Sequence, residues 1–147
     1  MREAGDRFPS QRELAKTPSV ANPLMHFNWA EELRELKAQD SWERGTGRSS
    51  KTLVKYPDFH IVVVVMKANT RMNEHHVDAR ISIHALEGRI RVRLAEQAIE
   101  VRAGELMTLD YAIPHDVEAV EESAFLLTIS WPGGTKEERH AWKQSVL

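Results

Sequence analysis

The apolar residues of this chain recur first with a helical spacing and then with a strand spacing. Trp29, Leu33 and Leu36 follow one another at i, i+4 and i+7, which places them on one face of a helix. Asn28, with Glu31 three residues later, matches a capping box, so we predict a helix of about three turns starting there. We expect its apolar stripe to pack against the rest of the protein, and Trp42 to extend that contact.

After residue 51 the pattern is that of β-strands. Residues 43–51, ERGTGRSSK, contain no apolar side chain, and we predict a loop there. A Val-rich run at 60–67 is typical of a buried strand, and six further strands are predicted at 80–86, 88–94, around 99–101, 106–109, 117–120 and 125–129. Short connections between this many strands indicate a closed barrel or a two-sheet jelly roll.

The register of one hairpin within this region can be predicted from the sequence. With a two-residue turn at Ala95 and Glu96, Val92 faces Ile99, Ile90 faces Val101 and Arg91 faces Glu100. The apolar residues then share one face and an opposite-charge pair lies on the other. The row formed by Arg89, Arg91 and Arg93 has three interpretations: an anion-binding stripe, a solvated face or a subunit contact.

Four segments follow from these patterns. We predict a flexible arm at 1–22, a helix and loop at 23–50, a β-barrel at 51–132 and a short, polar, helical tail at 133–147 with Trp142 as its anchor.

Composition narrows the classes of function. A net charge of −2 provides no basic field for nucleic acid or anionic lipid, and the absence of cysteine excludes disulfides and thiolate metal sites. The longest apolar run, 61–66, is too short to span a bilayer, and residues 1–16 lack the apolar stretch of a secretory signal. We expect a cytoplasmic protein with no nucleic-acid or membrane partner.

Two stretches keep a characteristic spacing of turn residues and histidines. The stretch NTRMNEHHVDARISIHALEG places His75 and Gly88 at set distances from Asn69, and GELMTLDYAIPHDVEA does the same for His115 from Gly104. Through these residues the chain resembles the cupin superfamily, whose members are small jelly-roll barrels. The resemblance implies an all-β fold, here with an N-terminal helix and a short helical tail. Asn69 replaces a motif glycine and is a residue that tolerates a left-handed turn.

The resemblance also implies a metal site, of which this chain keeps about half. In the superfamily three imidazoles and a carboxylate converge on a divalent ion and leave coordination positions for a substrate. Val77 and Ile81 stand where a second His and a Glu are expected, and Ala119 stands where an Asn often closes the second motif. In the second motif Asp110 and Ala112 replace a Pro and a Gly.

Strand alternation places residues 75, 77, 79 and 81 on one inward face, which reads His, Val, Ala, Ile. The candidate metal ligands are therefore His75 and His115, with Glu74 and His76 as weaker candidates. The cofactor is either a divalent transition metal (Fe, Mn, Zn or Ni) or none. His84 falls on the outer face by the same alternation, and His26, His60 and His140 have no ligand context.

Four functions stay open. The first is a barrel that binds a small molecule in a pocket formed by Val77, Ile81, Asp110 and Tyr111, with or without a weakly held metal. The second is a metal-dependent dioxygenase or isomerase acting through the two histidines. The third is a metal-free isomerase with His as the base beside Asp110 or Tyr111. The fourth is a structural dimer. The resemblance also implies a homodimer, for which the Trp29/Leu33/Leu36 stripe and the arginine row are the two candidate contact surfaces.

Overall fold

Two antiparallel sheets share one apolar core in the computed structural model of the chain, which describes residues 21–75 and 78–131, with the backbone alone at 74 and 75. The elements in chain order are α1 (Trp29–Lys37), α2 (Asp40–Glu43), β1 (Arg48–Tyr56), β2 (Phe59–Met66), β3 (Arg71–His75), β4 (Arg80–Glu87), β5 (Arg89–Arg93), β6 (Ala98–Arg102), β7 (Leu106–Leu109), β8 (His115–Ala119) and β9 (Ser123–Ser130). The large sheet has five strands in the order β1-β2-β9-β4-β7, and the small sheet has four in the order β3-β8-β5-β6. The predicted all-β jelly roll with an N-terminal helix is confirmed.

The core between the sheets is filled by alternate residues of both. Ile83 and Phe125 of the large sheet and Ile90, Val92 and Val117 of the small sheet are each at most 2% exposed and belong to one cluster. Their partners along each strand point outward, as strand alternation requires.

Helix α1 covers part of the outer face of the large sheet. Its cap is the predicted one, since the Asn28 side chain accepts a hydrogen bond from the backbone N–H of Glu31. Leu33 and Leu36 are buried against the sheet together with Trp42, whereas Trp29, predicted to join this stripe, is 36% exposed. The apolar face of the helix is therefore buried within its own chain.

Strand β2 is apolar on both faces because both faces are covered. Val64 and Met66 face the core between the sheets, and Val63 and Val65 face the layer under α1. Coverage on two sides explains the unbroken valine run, which is typical of a strand buried in the middle of a layered structure.

The β5–β6 hairpin has the predicted register. Val92 pairs with Ile99, Ile90 with Val101 and Arg91 with Glu100. The Leu94 N–H donates to the Gln97 carbonyl oxygen at 2.7 Å, which leaves Ala95 and Glu96 as the turn.

Two local predictions are wrong. Strand β1 begins at Arg48, inside the segment predicted as a loop, and pairs with β2 from Arg48↔Met66 onward. Residues 75 to 81 do not form one alternating strand either, because β3 ends at His75 in the small sheet and β4 begins at Arg80 in the large sheet. The chain crosses between the sheets there, so alternation cannot be carried from 75 to 81.

Several predictions concern residues outside the described part: the arm up to residue 20, His76, Val77 and the tail at 133–147 with His140 and Trp142. Within the described part, no helix is long and apolar enough to cross a membrane.

Candidate functional site

Strands β3 and β8 bring the two motif histidines together at one end of the small sheet. The Cα atoms of His75 and His115 are direct cross-strand partners. On β8 the inward residues are His115, Val117 and Ala119, all buried, so His115 faces the barrel interior at its end. Two histidines that lie forty positions apart in the sequence are thus neighbours in the fold.

His115 is held in one orientation by the backbone. It is 2% exposed, and its Nδ1 lies 2.9 Å from the carbonyl oxygen of Ile113. A carbonyl oxygen only accepts, so Nδ1 carries the ring hydrogen and, in the neutral imidazole, Nε2 keeps the lone pair. Metal-binding histidines are oriented in the same way, through one ring N–H donated to a carbonyl or carboxylate.

Two other described positions of the motifs carry apolar side chains, Ile81 at an expected ligand position and Ala119 where an Asn often closes the second motif. Ile81 is 5% exposed and lies between Leu109 and Ile129 on neighbouring strands. Ala119 is fully buried in the same cluster. No group of three or more His, Asp or Glu side chains that could hold a metal occurs among the described residues. These residues therefore do not fit the three-imidazole, one-carboxylate centre that the resemblance implies.

The turns of both motifs keep their left-handed backbone even where glycine is absent. Asn69 has φ +65°, as predicted for its position, and Ala112 has φ +57°. Gly88 at φ +73° is the tightest of these turns, because a Cβ there would lie 2.1 Å from the carbonyl oxygen of Glu122. The turns of both motifs are thus present, although an expected ligand position carries an apolar residue.

A cavity of about 470 Å³ opens on the other side of the large sheet. Its lining residues are Arg80, Ile81, Ser82, Thr108, Leu109, Asp110, Thr128 and Ser130. Ser82, Thr108 and Thr128 lie side by side on β4, β7 and β9, opposite in alternation to the core residues Ile81 and Leu109. The hydroxyls that line the cavity therefore lie on the outer face of the sheet.

Two of the predicted pocket residues, Ile81 and Asp110, line this cavity. Ile81 is packed in the core and Asp110 is exposed at the outer cavity, where its Oδ1 accepts hydrogen bonds from the backbone N–H of Tyr111 at 2.7 Å and from Arg80 Nε at 3.0 Å. The Tyr111 and Arg80 hydrogen bonds lower the pKa of Asp110 from its ordinary value. A carboxylate stabilised in its charged form is a poor acid at neutral pH.

The remaining described histidines are in unrelated places. His84 is half-buried on the outer face of β4 beside Leu106 and Leu126, in agreement with the predicted alternation. The His60 ring packs edge-on against Trp131, with ring centroids 4.5 Å apart. His26 is exposed.

The predicted arginine row lies on the outer face of the small sheet and is paired with acids. We call this surface the charged face; its residues are Arg71, Arg89, Arg91, Arg93, Glu100, Asp116 and Glu118. Glu118 receives three arginines, with N–O distances of 2.9 Å to Arg71, 3.3 Å to Arg91 and 2.8 Å to Arg93. Hydrogen bonding from Arg71, followed by the charges of the neighbouring arginines, lowers the pKa of Glu118 despite partial burial.

Comparisons with known proteins place the fold. No protein-family model and no curated protein matches the chain. Among solved structures, the chain is similar to the cupin domain of Schizosaccharomyces pombe Cnp3, with a TM-score of 0.58 and 16% identity over 66% of this chain and 71% of that one. The chain has a cupin fold.

Two other structures show how widely this cupin fold is shared. The conserved SPY1581 protein of unknown function from Streptococcus pyogenes has a TM-score of 0.59 and 21% identity, over 78% of this chain and 96% of that one. A variant of salicylate 1,2-dioxygenase from Pseudoaminobacter salicylatoxidans has a TM-score of 0.64 and 14% identity, over 78% of this chain and 37% of that one. At these identities the likeness concerns the fold, which hosts many chemistries.

The row of hydroxyls on the outer face of the large sheet was not predicted from the sequence. Ser82 and Thr128 lie in strands that had been predicted, and Ser82 alternates with Ile81 and Ile83. That alternation showed that Ser82 points outward. The pairing of three separate strands that lines up the hydroxyls is not visible in any one of them.

Proposed function

We propose that this cupin binds a small molecule at the end of the barrel where positions 75 and 115 pair, and that any divalent metal there is held weakly. The single observation that carries the proposal is His115, a buried imidazole that a backbone carbonyl orients with its Nε2 as the lone-pair nitrogen. A buried, oriented polar group surrounded by apolar residues is the usual anchor of a small-molecule site.

The residues around this end favour binding over metal catalysis. Ile81 occupies an expected ligand position and Ala119 the closing position of the second motif, and both are packed in the core. Two imidazoles hold a divalent ion less firmly than the three or four protein ligands of an ordinary catalytic centre. A metal-dependent dioxygenase or isomerase is thus the alternative outcome of the test, and the cytoplasmic location stays a prediction from composition.

Metal content is the first measurement. We expect protein prepared without a His-tag to contain well under one equivalent of iron, manganese, zinc and nickel by elemental analysis. Wild type, His75→Gln and His115→Gln should be compared with His84→Gln, a matched control on the outer face of β4. A stoichiometric metal that both motif variants lose and the control retains would refute the proposal in favour of the metal enzyme.

Ligand binding is the second measurement. Thermal shifts are recorded for each variant with Zn²⁺, with Ni²⁺ and with a panel of aromatic acids, sugar acids and nucleotide sugars. Since a ligand stabilises the folded state by mass action, an organic ligand of the site should raise the melting temperature of wild type and His84→Gln more than that of His115→Gln. Shifts of equal size in all variants, or none with any compound, would contradict a site at His115.

A further inference from the structure

Four hydroxyl side chains on the outer face of the large sheet line the cavity of about 470 Å³. Ser82 of β4 pairs with Thr108 of β7 on one side and with Thr128 of β9 on the other, so three hydroxyls form one row. Ser130, two residues further along β9, begins the next row beside Arg80. The volume lies within the range of about 300–1,000 Å³ that is typical of small-molecule pockets.

These hydroxyls have hydrogen-bonding capacity that the described part of the chain does not use. The Thr70 hydroxyl, by contrast, donates to the carbonyl oxygen of Lys67 at 2.7 Å, and the Ser123 hydroxyl donates to that of Glu121 at the same distance. None of the four hydroxyls at the cavity has such a partner among the residues that the structure describes. Since a hydroxyl both donates and accepts, the row offers a ligand adjacent groups that can do either.

The charges at the cavity cancel one another. Arg80 and Asp110 are the charged residues of its lining, and Arg80 Nε lies 3.0 Å from Asp110 Oδ1. A charged ligand would therefore find no unpaired charge of the opposite sign. The hydroxyl groups of a neutral ligand can hydrogen-bond to the row and to the carboxylate without leaving a charge unpaired, so the lining favours a neutral ligand.

An exposed aromatic ring lies beside these hydroxyls. Phe59 of β2 is the cross-strand partner of Ser130 and is 36% exposed. Direct cross-strand partners share one face of a sheet, so Phe59 is on the face of the hydroxyl row. The face of an aromatic ring is partially negative and attracts the partially positive C–H groups of a ligand. A ligand that carries both a C–H face and several hydroxyls would use both features, and sugars have this combination.

We call this surface the hydroxyl face; its residues are the four hydroxyl residues, Phe59 and the Arg80–Asp110 pair. Ordinary strand spacing and rise give the two rows on β9, β4 and β7 an extent of roughly 10 Å by 7 Å, which accommodates one or two sugar rings. We propose that the hydroxyl face binds a neutral carbohydrate, independently of the site at His115. Its affinity is low, because each hydrogen bond to the sugar replaces one to water.

The test is a titration of the full chain with neutral sugars, followed through its backbone amide signals in NMR spectra. The probes are glucose, galactose, mannose, maltose, cellobiose and lactose, and glucuronate is the charged comparison. We expect saturable shifts of the amide signals of β4, β7 and β9 with at least one neutral sugar.

Three variants remove single features of the hydroxyl face. Thr128→Val and Ser82→Ala each remove one hydroxyl with little change of shape, and each should raise the dissociation constant about threefold or more, the value of one hydrogen bond. Phe59→Leu keeps an apolar side chain without a ring face and should also weaken binding. Ser50→Ala removes an exposed hydroxyl from β1 and is the matched control for Ser82→Ala. The control and His115→Gln should bind like wild type.

Saturable shifts on these strands that the hydroxyl variants weaken and the control retains support the proposal. It is overturned by the absence of saturable shifts with every neutral sugar, by equal binding of wild type and the hydroxyl variants, or by tighter binding of glucuronate than of glucose. Loss of sugar binding in His115→Gln also overturns it, because the sugar would then occupy the barrel end. Circular dichroism checks the folding of each variant, and Thr108→Val, at an exposed position, replaces Thr128→Val if that variant does not fold.

Discussion

The two sheets of this barrel have similar inner faces and different outer faces. Both contribute aliphatic side chains to one core, as Ile83 does from the large sheet and Val92 from the small one. On its outer side the large sheet is covered in part by α1 and is apolar there, whereas the small sheet carries the charged face. Burial thus stabilises the large sheet from two sides and the small sheet from one.

The difference shows which kind of interaction each face contributes. Apolar burial under α1 is non-directional and scales with area, so it stabilises the fold without fixing a partner. Charge pairs on an open face add little stability but depend strongly on the position of each charge. The outer face under α1 therefore adds more to stability than the charged face, whose contribution depends on the position of each charge.

The largest expected effect is at the turn that joins the sheets. Gly88 lies between β4 and β5, and its Cβ would meet the Glu122 carbonyl oxygen at 2.1 Å. Gly88→Ala adds this overlap to a left-handed backbone and should lower the free energy of unfolding by about 3–5 kcal/mol. Gly104→Ala is the control, since its φ is +89° but nothing lies within 4 Å of the new Cβ. Its loss should be about 1–2 kcal/mol. Urea unfolding measures both values. Equal losses of unfolding free energy in the two variants would show that the close contact at Gly88 does not contribute to stability.

The next effect contrasts the two outer faces directly. Leu36 is fully buried between α1 and the large sheet. Leu36→Ala should lower the free energy of unfolding by about 3 kcal/mol, through lost burial and the cavity left behind. Arg91→Ala, on the charged face, should lower it by about 1 kcal/mol or less. Leu24→Ala is the control for the removal of a leucine, because Leu24 is 50% exposed. It should change the free energy of unfolding by less than about 0.5 kcal/mol. A larger loss in Arg91→Ala than in Leu36→Ala would reverse the comparison.

The smallest effect is a pH dependence confined to the charged face. The folded state lowers the pKa of Glu118, so its contribution to stability is complete above the unfolded value of about 4.3 and disappears as the pH falls through the lowered pKa. Glu118→Gln should therefore be less stable than wild type at neutral pH, by about 1 kcal/mol or less for a surface pair. That difference should shrink on acidification. Glu96→Gln, in the exposed β5–β6 turn, serves as the control, and a difference that grows at low pH would exclude this role for Glu118.

Sequence patterns predicted well those elements whose two faces differ. The β5–β6 hairpin has an apolar face and a charged face, so only one register satisfies both, and that register is present. The cap at Asn28 was equally local, since it needs only residues three positions apart. The left-handed turn at Asn69 followed from the spacing of a motif.

Patterns failed where the environment is set by distant parts of the chain. Strand β1 starts with polar residues. Ser49 is buried there, and its hydroxyl forms a hydrogen bond of 2.6 Å with the Ser41 hydroxyl, which no local pattern indicates. The crossing between β3 and β4 broke the alternation on which the inward face at 75–81 depended. For the site, the spacing predicted that positions 75 and 115 matter, and their pairing became visible only with the register of β3 against β8.

The position of β9 has a consequence for how the chain folds. This strand lies in the middle of the large sheet, between β2 and β4, although it is the last described strand in the sequence. Until it leaves the ribosome, β2 and β4 each lack a neighbour and expose strand edges that are prone to aggregation. The jelly roll therefore closes only after β9 has been synthesised, and its folding is slow because these pairings join residues distant in sequence.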